Sequence, residues 1–114
     1  MASEDDAREI ALSLPETIEK PSYGMPGFRV KDRLFARIRE ERDVLVVWRE
    51  GLDEKELLIA AEPDKFFTTP HYDGYAIVLV RLGAVDREEL TELVTESWRL
   101  RAPKRLVARF DGEG

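Results

Sequence analysis

Apolar residues recur with helical spacing in three parts of the chain. The first stripe comprises Ala7, Ile10, Ala11 and Leu14. Its i, i+3, i+4, i+7 spacing predicts a helix from Ser3, the N-cap, to Leu14. A second helix is predicted from Asp53 to Ala61, capped by Asp53, with Glu56 at capping-box distance. Its predicted stripe comprises Leu57, Leu58 and Ala61.

The third helical stripe is the longest. It comprises Leu90, Leu93, Val94, Ser97 and Trp98. Asp86 is the predicted N-cap of this helix, and Glu89 completes a capping-box spacing. Pro103 suits the first turn of a short terminal helix. The residues of that helix expected to pack inward are Leu106, Val107 and Phe110.

The segments between these helices show the patterns of strands. Between residues 34 and 39, Leu34, Ala36 and Ile38 alternate with Phe35, Arg37 and Arg39. This period of two predicts a half-buried strand with Arg37 and Arg39 on its outer face. Residues 44–48 are almost continuously apolar and complete a hairpin through the charged connection 39–43. Residues 75–82 are apolar on both parities, which predicts a central strand covered on both sides. The predicted fold is α+β, one domain over residues 1–114: an antiparallel sheet with an N-terminal helix, a mid-chain helix and C-terminal helices.

Composition excludes several kinds of site. The chain has no cysteine and one histidine, so disulfides, thiol catalysis, thiolate metal sites and two-histidine metal sites are excluded. We expect no cofactor and no metal. The acidic residues Glu4, Asp5, Asp6 and Glu9 could hold a hard cation weakly, but complementing the dipole of the first helix explains them better. The chain has no apolar run long enough to span a membrane and no signal-peptide pattern. We therefore expect a cytoplasmic protein, a monomer or a weak dimer.

The charge is distributed unevenly along the chain. The net charge is −6. Residues 1–19 hold six acids and one base, whereas residues 99–109 hold five bases and no acid. Residues 29–42 hold six bases and three acids. Local basic faces can therefore exist on an acidic protein, although a solvated face, or terminal bases paired with the acidic first helix, explains the same residues.

The stretch FFTTPHYDGY, residues 66–75, concentrates aromatic and polar side chains around the single histidine. Asp73 lies two residues from His71, as an orienting carboxylate for an acid–base histidine would. A nucleophile that such a histidine would activate is not recognisable in the sequence. The alternative is that His71 and Tyr72 brace a turn around Pro70, with Asp73-Gly74 as a turn dipeptide. Phe66, Phe67 and Tyr75 are expected at the core or its edge.

Four stretches, taken in order, resemble the MmcQ/YjbR family. They are ALSLPETIEKPSYGMPGFRV (residues 11–30), LFARI (34–38), FFTTPHYDGYAIVLVRL (66–82) and SWRLRAPKRL (97–106). The resemblance extends from residue 7 to about residue 109. It implies an α+β fold similar to the frataxin/CyaY type and DNA binding through a double-wing arrangement, and it implies no catalytic residues.

Two binding hypotheses follow, both for a non-enzymatic module. The first is nucleic-acid binding through the hairpin and the basic carboxy-terminal segment. Its predicted residues are Arg37, Arg39, Arg99, Arg101, Lys104, Arg105 and Arg109. The second is binding of a protein or small ligand in an aromatic cleft. Its predicted residues are Tyr23, Phe28, His71 and Tyr72.

Overall fold

The structure, a computed structural model, describes residues 1–41 and 43–112, so Arg42 lies outside the described residues. The helices are α1 (Glu4–Ser13), α2 (Leu52–Ala61), α3 (Arg87–Arg101) and α4 (Lys104–Gly112). The strands are β1 (Thr17–Ser22), β2 (Met25–Val30), β3 (Arg33–Ile38), β4 (Val44–Trp48), β5 (Phe66–Phe67) and β6 (Ile77–Arg81). A short 3₁₀ turn, Leu82–Ala84, joins β6 to α3. The predicted α+β class is confirmed.

The strands form one antiparallel sheet in the order β1-β2-β3-β4-β6-β5. β6 lies between β4 and β5, and its residues Val78, Leu79 and Val80 are all buried. The prediction of a strand covered on both sides is therefore confirmed, but β6 begins at Ile77 and lies next to the edge strand instead of at the centre of the sheet. Tyr75 was expected at the core edge, but it precedes the strand and is 61% exposed.

One face of the sheet is covered by helices and holds the main hydrophobic core. α1 and α3 pack together there, and α3 packs on β3 and β4. The predicted stripe of α3 is buried in full. The Ser97 hydroxyl donates to the carbonyl of Phe35 and accepts from the N–H of Trp48, which ties the helix to two strands. The inward residues predicted for α4 pack against this core.

The opposite face holds a smaller apolar cluster. Its buried members are Val46, Tyr72 and Leu79, with Val44, Phe67 and Ile77 packed around them. Alternation along β4 divides the two clusters, because Leu45 and Val47 join the main core while Val46 points the other way. The segment between β5 and β6 supplies Tyr72 and covers this face.

A register shift changes which side chains of β3 are buried. Phe28 of β2 pairs with Ala36, but the next residue of β2 pairs with Leu34, so Phe35 is the extra residue of a bulge. Phe35 and Ala36 consequently both join the main core. Arg37 lies opposite Val46 on the other face and is only 7% exposed. The predicted face of Arg37 is therefore correct, but its predicted exposure is wrong, because Tyr72 covers that face of the sheet.

The predicted cap of α2 is also wrong, and of its predicted stripe only Leu58 packs against the main core. The helix begins at Leu52 after Gly51, which has no side chain that could cap it. Leu57 is 69% exposed, and the buried residue of the helix is Lys55. The reason is that α2 packs mainly against β5 and β6, near the sheet edge, instead of on the broad core.

The acidic first helix is neutralised by a base that the sequence did not single out. Arg87 Nη1, at the start of α3, lies 2.6 Å from Asp6 Oδ1 and 3.0 Å from Glu9 Oε1. The backbone N–H of Ser3 donates to Asp6 and lowers the pKa of that carboxyl, as part of the capping box. Asp6 and Glu9 thus pair with Arg87 instead of with the terminal bases, which was the alternative explanation of the charge distribution. Packing of α1 on α3 selects Arg87 instead.

Candidate ligand-binding cleft

The segment 68–76 is a turn fixed by its own backbone. The N–H groups of Tyr72 and Asp73 both donate to the carbonyl of Thr69, at 2.9 and 3.0 Å. Gly74 has a φ of 87°, so the predicted turn residue occupies a conformation that favours glycine. The Thr68 hydroxyl donates to Asp73 Oδ1 at 3.4 Å. Asp73 therefore braces the turn, and it does not orient His71 as an acid–base pair would require.

Lys55 of α2 fastens this turn to the body of the protein. Its Nζ donates to the carbonyl oxygens of Tyr72 and Tyr75, at 2.7 and 2.8 Å. Burial lowers the pKa of the Lys55 amine, because the charged form has lost much of its water. A buried ammonium held by two carbonyls orders the backbone on both sides of Gly74. Lys55 was not among the predicted site residues. Its spacing of three or four positions from Leu52, Leu58 and Ile59, which places it on the same side of the helix, was the signal that could have found it.

Arg37 joins the turn to the sheet. Its Nη2 donates to the Tyr72 hydroxyl oxygen at 2.9 Å, and its Nη1 donates to the Ile38 carbonyl at 3.4 Å. The Tyr72 hydroxyl thus accepts a hydrogen bond from Arg37 away from water, where the low dielectric makes such a bond stronger. Tyr72 is buried by this contact, while His71 beside it stays exposed and meets the Tyr72 ring edge-on at 4.8 Å.

Tyr23 occupies the tip of the β1–β2 hairpin in a conformation that tyrosine rarely adopts. Tyr23 and Gly24 have φ values of 55° and 78°, the pair of positive angles typical of a type I′ turn. Asparagine or glycine is preferred at the first of these positions, and a left-handed conformation costs other residues about 1–2 kcal/mol. The ring nevertheless stands over the Arg37 guanidinium, 5.2 Å from ring centre to Cζ, and Tyr23 is 82% exposed.

These side chains line a cleft of about 250 Å³, called here the Tyr23 cleft. It is lined by Tyr23, Arg37, Arg39, Glu40, His71 and Tyr72. The structure thus brings together two arginines predicted for nucleic acid and three aromatic residues predicted for a ligand. Phe28, the fourth residue of the predicted aromatic set, is 1% exposed in the main core and does not line the cleft.

The charges at the mouth of the cleft are only loosely matched. Arg39 Nε lies 3.0 Å from Glu41 Oε1 and 3.8 Å from Glu40 Oε1. Glu41 therefore forms an ion pair with Arg39, but in the described part of the chain the buried Nε and Nη1 atoms of Arg39 donate no hydrogen bond. Unsatisfied guanidinium donors that line a cleft indicate a place where an anion would be favoured.

Of the five basic residues predicted at the carboxy terminus, two contact other parts of the protein and three are exposed to solvent. Arg99 pairs with Asp111 at 2.5 Å, and Arg101 donates to the carbonyl of Leu34 while its guanidinium stacks on Trp48. Burial, together with the nearby charge of Arg33, lowers the pKa of Arg101. The three bases of α4, Lys104, Arg105 and Arg109, are exposed.

A larger pocket of about 380 Å³ lies between α2 and α3. It is lined by Arg49, Leu58, Glu62, Phe66, Glu89, Glu92, Leu93 and Glu96. Lys65 already neutralises Glu62 and Glu89, and Glu54 pairs with Arg49. Much of its charge is therefore matched internally. Over residues 1–41 and 43–112, three or more acidic or histidine side chains nowhere come together as metal ligands. In the same residues, the helices lack the length and apolar character needed to cross a bilayer.

Comparison with known proteins gives one consistent relationship. A family model described as YjbR matches residues 12–100. The uncharacterized proteins Rv2570 of Mycobacterium tuberculosis and Mb2600 of Mycobacterium bovis are each 39% identical to this chain, over 96% of both sequences. The crystal structure of Deinococcus radiodurans protein DR2400, with the domain DUF419, is similar with a TM-score of 0.75 and 26% identity. That similarity covers 98% of this chain and 82% of the other.

Proposed function

The chain belongs to the YjbR family, and from this premise we propose that it is a binding module, not an enzyme, whose ligand-binding site is the Tyr23 cleft. The ligand class that fits is a small planar group with a negative charge. The aromatic rings supply stacking surfaces, and Arg37 and Arg39 supply positive charge at the floor and rim.

The conformation of Tyr23 is the observation that carries this proposal. The hairpin would be more stable with asparagine or glycine at its tip, and the exposed ring gains little from burial. Its cation–π contact with Arg37 is worth about 0.5–1 kcal/mol at an exposed site, less than the backbone cost. A strained, exposed aromatic residue over a buried guanidinium therefore supports a role in contacting a ligand.

The other side chains of the cleft favour binding over catalysis. His71 has an exposed ring beside Tyr72, and within the described residues no carboxylate accepts a hydrogen bond from it; Asp73 accepts from Thr68. Arg37 is held by Tyr72, and Tyr72 is held through Lys55. Such fixed surroundings suit recognition, because little order has to be gained when a ligand enters.

Phenyl phosphate, a planar ring with one phosphate, is a suitable probe for the experiment. Titration followed by amide chemical shifts should move the signals of residues near Tyr23, Arg39 and His71. Tyr23→Ala should weaken binding about tenfold, because stacking on an aromatic side chain is worth about 1–3 kcal/mol. Tyr75→Ala is the matched control: Tyr75 is exposed near the same turn but does not line the cleft. Equal losses in both variants, or shifts away from the cleft, would refute the proposal.

Nucleic-acid binding is the second candidate, and the exposed bases of α4 favour it. Lys104, Arg105 and Arg109 form no ion pair among the described residues, so they are free to contact phosphates. Arg99 and Arg101 are engaged elsewhere, which leaves a contact set smaller than the sequence predicted.

Salt dependence tests this second candidate. Three phosphate contacts should give a logarithmic slope of about −2 to −3 for affinity against salt on duplex or single strands. Arg105→Gln should reduce that slope by roughly one unit, whereas Lys20→Gln, at an exposed site on β1, should leave it unchanged. An affinity that does not respond to salt would exclude phosphate contact by α4.

A further inference from the structure

Glu40 lies between the two arginines of the Tyr23 cleft. Its Oε1 is 3.9 Å from Arg37 Nη1 and 3.8 Å from Arg39 Nε. Charge-assisted hydrogen bonds between a guanidinium and a carboxylate measure about 2.7–2.9 Å, so both approaches are about one ångström too long. Glu40 is therefore near two positive charges without being bound by either.

The arginines are far less free to move than Glu40. Arg37 is fixed beneath the turn by Tyr72 and the Ile38 carbonyl. Arg39 is a strand-end residue whose backbone N–H donates to the Val44 carbonyl at 2.9 Å, and most of its side chain is buried. The side chain of Glu40, in the connection after β3, is mostly exposed. The two guanidiniums thus form a preset pair, and the carboxylate is the mobile partner.

Arg39 supplies independent evidence for an anion site. Its Nη1 is buried and has no hydrogen-bond acceptor within the described residues, and its Nε has only the ion pair with Glu41, at 3.0 Å but outside hydrogen-bond geometry. Buried guanidinium donors without acceptors are unusual and costly. An oxyanion placed between the arginines would accept from them at hydrogen-bonding distance, which Glu40 does not achieve.

We infer that the space between Arg37 and Arg39 is an oxyanion subsite, and that Glu40 occupies it loosely as an internal competitor that a ligand displaces. The inference rests on the proposed function and specifies its ligand: a planar ring bearing a carboxylate or a phosphate. The ring lies against Tyr23 and His71, and the oxyanion replaces the Glu40 carboxylate at the guanidiniums. Binding is then selective for ligands whose oxyanion pairs with the arginines better than Glu40 does.

Three probes of similar size separate the groups involved: phenyl phosphate, benzoate and neutral benzamide. Glu40→Gln should tighten phenyl phosphate and benzoate about threefold to tenfold, the effect of removing one partly exposed charge. Benzamide affinity should change little, because it carries no negative charge. Arg39→Gln should weaken both anions. Comparing phosphate with carboxylate then shows which oxyanion the subsite prefers.

The control is Glu50→Gln, which removes an exposed charge outside the cleft and should leave all three affinities unchanged. If wild-type protein binds phenyl phosphate in the cleft but Glu40→Gln does not tighten it, the inference is wrong and the proposed function stands. If Glu40→Gln and Glu50→Gln tighten the anions equally, the effect is one of overall charge and the inference is also wrong. If none of the probes binds wild type or Glu40→Gln, both are wrong.

Discussion

The two faces of the sheet are built from different chemistry. The face under α1 and α3 is packed with hydrocarbon, and its few polar contacts serve to join helix to strand, as Ser97 does. The face under the turn 68–76 has a small apolar cluster surrounded by polar groups: a buried lysine, a buried arginine and a buried phenol.

This difference shows that the helical face supplies most of the folding stability and that the opposite face supplies little. Apolar burial supplies about 25 cal/mol per Å², so the helical face accounts for most of the driving force for folding. Burying Lys55 and Arg37 costs free energy that their hydrogen bonds only partly return. The polar face also carries the strained Tyr23 and the unsatisfied donors of Arg39. Such concentrated local costs are typical of binding sites.

The largest expected effect is on the helical face. Leu90→Ala removes a side chain with no exposed surface from the main core, and should lower the free energy of unfolding by about 2–5 kcal/mol. Denaturant unfolding measures this change, and Glu92→Ala, on the exposed side of the same helix, should be close to neutral. At temperatures where the variant is folded, phenyl phosphate binding should be unchanged. A matching loss of binding would show that the two faces are not separable.

A smaller effect is expected where Lys55 fastens the turn. Lys55→Met keeps the length of the side chain but leaves the Tyr75 carbonyl without its donor, and should cost about 1–3 kcal/mol. Amide hydrogen exchange should accelerate in residues 72–75 and remain slow in β4 and β6. Binding in the Tyr23 cleft should weaken as well, because Tyr72 and His71 lose their fixed position. Lys104→Met, at an exposed site, is the control. Unchanged exchange in the Lys55 variant would show that Lys55 does not hold the turn in place.

The smallest expected effect has the opposite sign. Tyr23→Asn places a residue that tolerates positive φ at the hairpin tip, relieving about 1–2 kcal/mol of backbone strain. Loss of the cation–π contact with Arg37 lowers the free energy of unfolding by about 0.5–1 kcal/mol. The net effect should therefore be a rise in stability of up to about 1 kcal/mol. Thermal unfolding measures the gain, and ligand titration should show loss of binding in the same variant. A variant that is less stable than wild type would mean that the tyrosine contributes to folding.

Local patterns were sufficient for the regular elements. Ser3 and Asp86 mark helix starts because a short polar side chain accepts from the N–H groups of the first turn. The stripe of α3 and the apolar run of β6 are both buried as expected, since each repeats with the period of its element. The weaker pattern of α2 predicted the wrong buried residue: near the sheet edge Leu57 is exposed and Lys55 is buried.

The sequence by itself determined the α+β class, the four helices, the strands β3, β4 and β6, and the family resemblance, because these depend on periodicity and on capping between neighbours in the chain. Only the tertiary structure decided the cleft. Arg37 lies on the face of the sheet opposite the main core, and the turn placed Tyr72 over it, a contact between residues 35 positions apart. The hairpin tip brought Tyr23 to the same guanidinium. Local sequence patterns do not predict these long-range contacts, because the contacts depend on strand register and on the path of the chain across the sheet.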